Sequence, residues 1–165
     1  MLQRIIKLSC MLLNLSILVL LAEQSAYALT IPITKQLIVS SVNKKFPKEK
    51  LGFSINTPTL KFIKNTQRVE LCASWSVKQL KQQGDFCVDS QLIWESPKGD
   101  IVIANMNLLQ LSTHDGLQLS LQVKHIINNS IPAILNGTSV YHMPEQIGKY
   151  LERIEVNENS LSLVF

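Results

Sequence analysis

Charge is scarce in this sequence. Only 17% of the residues are charged, and Asp and Glu together number 12. The carboxylates are scattered, so no pair can be nominated for acid–base work. Lys and Arg form no cluster and the formal net charge is only +4, which argues against a nucleic-acid partner. It allows no more than weak attraction to an anionic membrane surface. His114, His125 and His142 lack HExxH spacing and any adjacent carboxylate pattern, which removes the usual zinc arrangements. His125 is read as a solvated or hydrogen-bonded histidine. There is no G-x-S-x-G, P-loop or dinucleotide fingerprint. There is no CxxC, hence no redox motif. No internal repeat, low-complexity tract or linker divides the chain. Composition and motifs together nominate no enzyme, cofactor or metal.

What is present begins with an export signal. Arg4 and Lys7 precede an uncharged apolar run, Leu8 to Ala22, and Ala26-Tyr27-Ala28 carries small residues where a signal peptidase reads. The run is shorter than the ~20 residues a membrane-spanning helix needs. Cleavage after Ala28 is expected, leaving residues 29–165 as one domain. Leu8-Ser9-Cys10 faintly resembles a lipobox. Cys10 lies before the apolar core, not after it, so no lipid anchor is expected.

Leu29 to Ile33 is short and apolar, and Pro32 restricts it to an edge strand or lead-in. Thr34 is a natural N-cap for an amphipathic helix over Lys35 to Phe46, which Pro47 ends. Lys44, Lys45, Lys48 and Lys50 read as its solvated end. From Phe53 the period changes to two. Phe53, Ile55 and Thr57 alternate, as do Leu60 and Phe62. Three stronger strands follow, Arg68 to Val77, Gly84 to Trp94 and Asp100 to Ser112. In the last, parity slips between Asn105 and Leu109, which predicts a bulge or sharp bend. The product is an antiparallel meander with one apolar face.

The stretch from His114 to Asn136 is expected to form a long helix, with Asp115 as N-cap and Asn136-Gly137 as its stop. At 100° per residue its apolar side chains span roughly 220°, more than one flat layer can bury. Gln118, Gln122, His125 and Asn129 form the remaining polar seam. Two features oppose this reading: Leu117 to Val123 also alternates, and Pro132 removes a helical hydrogen bond. Beyond it, Thr138 to Met143 predicts a short strand, Glu145 to Glu152 a short helix, and Arg153 to Phe165 a hairpin turning at Asn157 to Ser160.

Cys72 and Cys87 fall on the polar faces of neighbouring strands. Pairing them sets Leu71 against Val88, Ala73 against Phe86, Trp75 against Gly84 and Val69 against Ser90, so one register aligns both apolar faces and joins the cysteines. An exported protein meets an oxidising compartment, so a Cys72–Cys87 disulfide is expected; two free thiols are the alternative.

The signal segment, the ITKQLIVSSVNKKF helix, the meander, the apolar helix, VYHM and the terminal IEVNENSLSLVF occur in one order. That order resembles the YceB-like family of exported Gram-negative proteins, which is similar to the tubular lipid-binding (TULIP) superfamily. The resemblance implies an α+β fold in which a strongly curved antiparallel sheet wraps a long apolar helix. It implies a periplasmic, non-enzymatic protein that holds a lipid or another apolar ligand between sheet and helix. It supplies no catalytic residues. The candidate groove is Leu71, Trp75, Phe86 and Val88 from the sheet, with Leu119, Val123, Ile127 and Ile131 from the helix. The alternative is a structural or partner-binding envelope protein whose interior is full.

Overall fold

The computed structural model describes residues 28–50, 52–116 and 118–165; the expected export signal, residues 1–28, lies outside them except for Ala28. The chain forms β1 (Thr30–Thr34), α1 (Lys35–Asn43), β2 (Lys48–Lys50), β3 (Phe53–Ile55), β4 (Thr59–Ile63), β5 (Arg68–Val77), β6 (Gln82–Glu95) and β7 (Asp100–Thr113). It continues with α2 (Leu121–Leu135), β8 (Ser139–His142), α3 (Glu145–Gly148), β9 (Arg153–Val156) and β10 (Ser160–Val164). The class is α+β. A seven-stranded antiparallel sheet, ordered β2-β3-β5-β6-β7-β8 with β4 beside β5, curls strongly into a half-barrel. A separate three-stranded sheet, β1-β10-β9, takes in both ends of the described chain. Pro32 sits in β1, which pairs only with β10, as an edge proline should.

β5 alternates without a fault: Val69, Leu71, Ala73, Trp75 and Val77 are all buried, and every residue between them is half-exposed. β3 and β4 are one extended run broken at Pro58. Both pair with β5, β4 along its first half and β3 along its second. The missing proline N–H accounts for the break, and it leaves Thr57 outside both strands.

The curl has local causes on β6 and β7. The register slips between Cys87 and Val88, and again between Asp89 and Gln91. Opposite these points β7 carries Leu109 and the Asn105-Met106 pair, and Asn105 adopts φ +49°. The parity slip in the sequence thus marks two bulges, which bend the strand and increase its twist. Gly84 adds a third device. A Cβ built there would lie 1.9 Å from the Ser112 carbonyl oxygen, so only glycine lets β7 cross so close. Gly84→Ala should therefore destabilise by about 3 kcal/mol, the upper end for overpacking. Urea unfolding checks this, and a stability within about 0.5 kcal/mol of wild type would mean that β7 does not make this crossing.

The helices correct two expectations. α2 begins at Leu121, not near His114. β7 runs on to Thr113, the chain turns through Gly116 (φ +68°), and Ser120 rather than Asp115 is the N-cap, its Oγ accepting from the Val123 N–H. Leu119 consequently stands outside the helix. α2 passes Pro132 and ends where Asn136 N–H donates to the Pro132 carbonyl. Its buried residues, Val123, Ile127, Ile131, Ile134 and Leu135, make one stripe, while Leu121 and Ile126 are exposed. α2 rests one face on the sheet; a long apolar helix enclosed on several sides is not what these residues form.

Lys45 and Lys48 are the second correction, while Lys44 and Lys50 are exposed as a solvated end should be. Lys48 lies in β2, and its Nζ donates to the Ile134 carbonyl at 3.2 Å and to Thr138 Oγ1 at 2.6 Å. Lys45 Nζ donates to the Ser139 carbonyl. These are inward contacts at the end of α2, where a cation suits the orphan carbonyls. Burial, then the neighbouring Lys45 charge, holds the Lys48 ammonium below the usual lysine range. Sequence pattern could not show this, because the acceptors lie far along the chain.

Candidate functional site

The residues nominated for a groove come together, but they touch one another. Leu71, Trp75, Phe86 and Val88 project from the inner face of β5 and β6, and Val123, Ile127 and Ile131 from α2. All seven are buried in a single cluster, with Leu119 packed half-buried against it. The space between them is filled with side chains, as protein interiors normally are. Periodicity identified the correct faces, but it carries no information about how closely two faces approach.

One opening, about 270 Å³, lies by the disulfide and is lined by Thr59, Ser74, Asp85, Phe86 and Gln110 among others; two more lie to either side of α2. The smaller, about 180 Å³, is bounded by Met106, Leu108, Asn128, Pro132, Val88 and Ile131. Only these last two belong to the nominated set. The larger, about 500 Å³, lies between α2 and the β3–β5 edge. Phe53 and Val77 form its buried floor, and Leu80 and Ile126 are its exposed apolar walls. Gln79, His125, Asn129 and Ser130 supply polar groups. Its size falls within the ~300–1,000 Å³ of small-molecule sites, while that of the smaller one does not. Two of its members, His125 and Asn129, were visible in the sequence as the polar seam. The rest could be found only once β3 and the β5–β6 turn were placed beside that seam.

Within the seam Asn129 Nδ2 lies 3.0 Å from His125 Nε2. One of the two groups donates and the other accepts, so whichever way the amide is turned the pair keeps one further donor and one further acceptor.

The outer face of the sheet holds the disulfide. Cys72 and Cys87 are bonded, with a Cα–Cα separation of 4.1 Å, close to the ~4.5 Å of a non-hydrogen-bonded antiparallel pair. The register around them is the one expected, Leu71↔Val88, Ala73↔Phe86, Trp75↔Gly84 and Val69↔Ser90. Glu70 lies beside the two sulfurs, yet bonded cysteines have no thiolate to offer a metal. Nearby, Ser74 Oγ donates to Asp85 Oδ1 at 2.8 Å, and His114 Nε2 sits 3.0 Å from Asp85 Oδ2. The Ser74 bond, helped by His114, keeps the Asp85 carboxyl below its usual range. In a nucleophilic triad the histidine stands between serine and carboxylate. Here the carboxylate stands between them, so the imidazole cannot take the serine proton.

The fold and openings thus define a half-barrel α+β protein with apolar surface exposed beside one helix. No helix among the described residues is long and apolar enough to cross a membrane. Comparison with protein-family models and with curated proteins found no match.

Proposed function

We propose that this is a non-enzymatic, exported binding protein that takes a lipid or another apolar ligand alongside α2. The observation that carries the reading is the 500 Å³ opening with its floor of Phe53 and Val77. Contiguous apolar surface rimmed by polar groups is the usual mark of a binding groove. The curled sheet and the order of elements support kinship with YceB-like, TULIP-like proteins. The disulfide suits an oxidising compartment such as the periplasm. Each CH₂ buried in the opening would contribute about 0.8 kcal/mol.

The filled interior favours a second reading, an envelope protein that binds a protein partner or acts structurally. One experiment separates the two. Ile126 is 41% exposed and walls the opening, whereas Ile127 is fully buried. If the opening binds a fluorescent fatty-acid probe, Ile126→Asp should weaken binding at least about tenfold while leaving the melting temperature nearly unchanged. Ile127→Trp should instead overpack the core and cost about 1–3 kcal/mol. A wild-type protein that takes up no probe, and that comes from its own compartment without a bound ligand in native mass spectrometry, would leave only the second reading.

A further inference from the structure

The larger opening has two unlike walls. On the sheet side stand Phe53, Val77 and Leu80; on the α2 side Ile126 is followed by Asn129 and Ser130, with His125 one turn before Asn129. We propose that this site selects amphiphiles whose head group is uncharged and both gives and accepts hydrogen bonds, the acyl chain lying on the Phe53–Leu80 wall. This rests on the apolar-ligand reading above and adds the chemistry of the head.

Two features of the opening favour such a head group: its lack of charge and the hydrogen-bonding capacity of its seam. Among the described residues, none that lines the opening is a Lys, Arg, Asp or Glu. Lys78, in the adjoining turn, is engaged by Glu49 at 3.1 Å. Lys81 and Lys124 are not among the lining residues. A charged head group moved against this wall would lose hydration and meet no counter-charge, which is costly. A hydroxyl or amide head loses less and can be repaid by hydrogen bonds.

The seam offers those bonds in matched kinds. The His125–Asn129 bond uses one donor and one acceptor, and in either tautomer the pair keeps one donor and one acceptor for a head group. The Ser130 hydroxyl adds one group of either kind. On the facing wall the Gln79 amide lies over Gly52, whose missing side chain leaves room for it: a Cβ there would fall 2.5 Å from Gln79 Nε2.

The test uses the full chain with the neutral probe N-phenyl-1-naphthylamine, at about pH 8, where a carboxylate competitor is ionised. Three competitors share a twelve-carbon chain, each below its micelle concentration: the glycerol monoester, dodecanoate and dodecyltrimethylammonium. The monoester should displace the probe at a concentration at least about tenfold lower than either charged competitor. Asn129→Leu should bring the three within about threefold of one another, with probe binding and melting temperature retained. Ser130→Ala, a small change at a position favourable to helix, should reduce the preference in the same direction. Equal displacement by all three, a preference for either charged competitor, or a preference that survives Asn129→Leu would overturn this inference and leave apolar binding standing. A protein that binds neither the probe nor any competitor overturns both.

Discussion

Trp75→Ala should destabilise the protein by about 3–5 kcal/mol, the range for removing a large buried aromatic. Trp75 lies in β5 at the middle of the curled sheet and is 1% exposed. It pairs across β3 with Ile55 and across β6 with Gly84, and its ring stacks on Phe53 with centroids 6.2 Å apart and planes 6° from parallel. The indole Nε1 has no hydrogen-bond partner among the described residues, so the loss is one of packing. Neighbours in three strands cannot close over the gap without undoing the register that the disulfide and the bulges hold. A domain of this size is stable by roughly 5–15 kcal/mol, so the variant should lose a large part of its margin. At about 2–4 °C per kcal/mol, the melting temperature should fall by roughly 10 °C or more. Urea unfolding followed by circular dichroism measures both. A loss under about 1 kcal/mol would show that the indole is not core but part of an empty groove. In that case the original nomination of Trp75 as a ligand contact would regain its force.

Removal of the disulfide ranks second. Cys72 and Cys87 are 15 residues apart in sequence, and closing a loop of that length contributes about 3 kcal/mol in the chain-entropy account. The effect acts on the unfolded chain, so Cys72→Ala/Cys87→Ala should keep the native circular dichroism spectrum and lower the urea midpoint. Adding reductant to the wild type should bring its midpoint to that of the double variant. Identical midpoints for oxidised and reduced wild type would mean that the bridge adds nothing to stability. The outer-face position makes this a clean comparison. Both cysteines are only half-buried and lie outside the apolar cluster, so replacing them leaves the core intact.

Much of the sheet could be read from residues alone, because a strand's periodicity is local. Arg68 to Val77 alternates apolar and polar at every step, and the structure places β5 on those same residues. Cys72 and Cys87 then fixed the register of β5 against β6, since a slip by one residue would send each apolar side chain to the outer face. The parity slip in β7 announced its bulges, and the export signal, outside the described residues, rests on sequence alone.

Tertiary structure decided where α2 starts and what it covers. The alternation from Leu117 to Val123 suited either a strand or a helix. The choice went to the end of β7 and to the Ser120 cap, because a capped helix start satisfies backbone donors that a longer helix would have had to take from the hairpin. Lys45 and Lys48 turned inward for a similar reason: the oxygens that accept from them, at and just beyond the end of α2, belong to residues 86 or more positions away. The position of the opening was equally beyond the sequence. A hydrophobic pattern states which face seeks burial, but whether that face meets another side chain or empty space depends on the distance between elements, and that distance is set only when the sheet has curled.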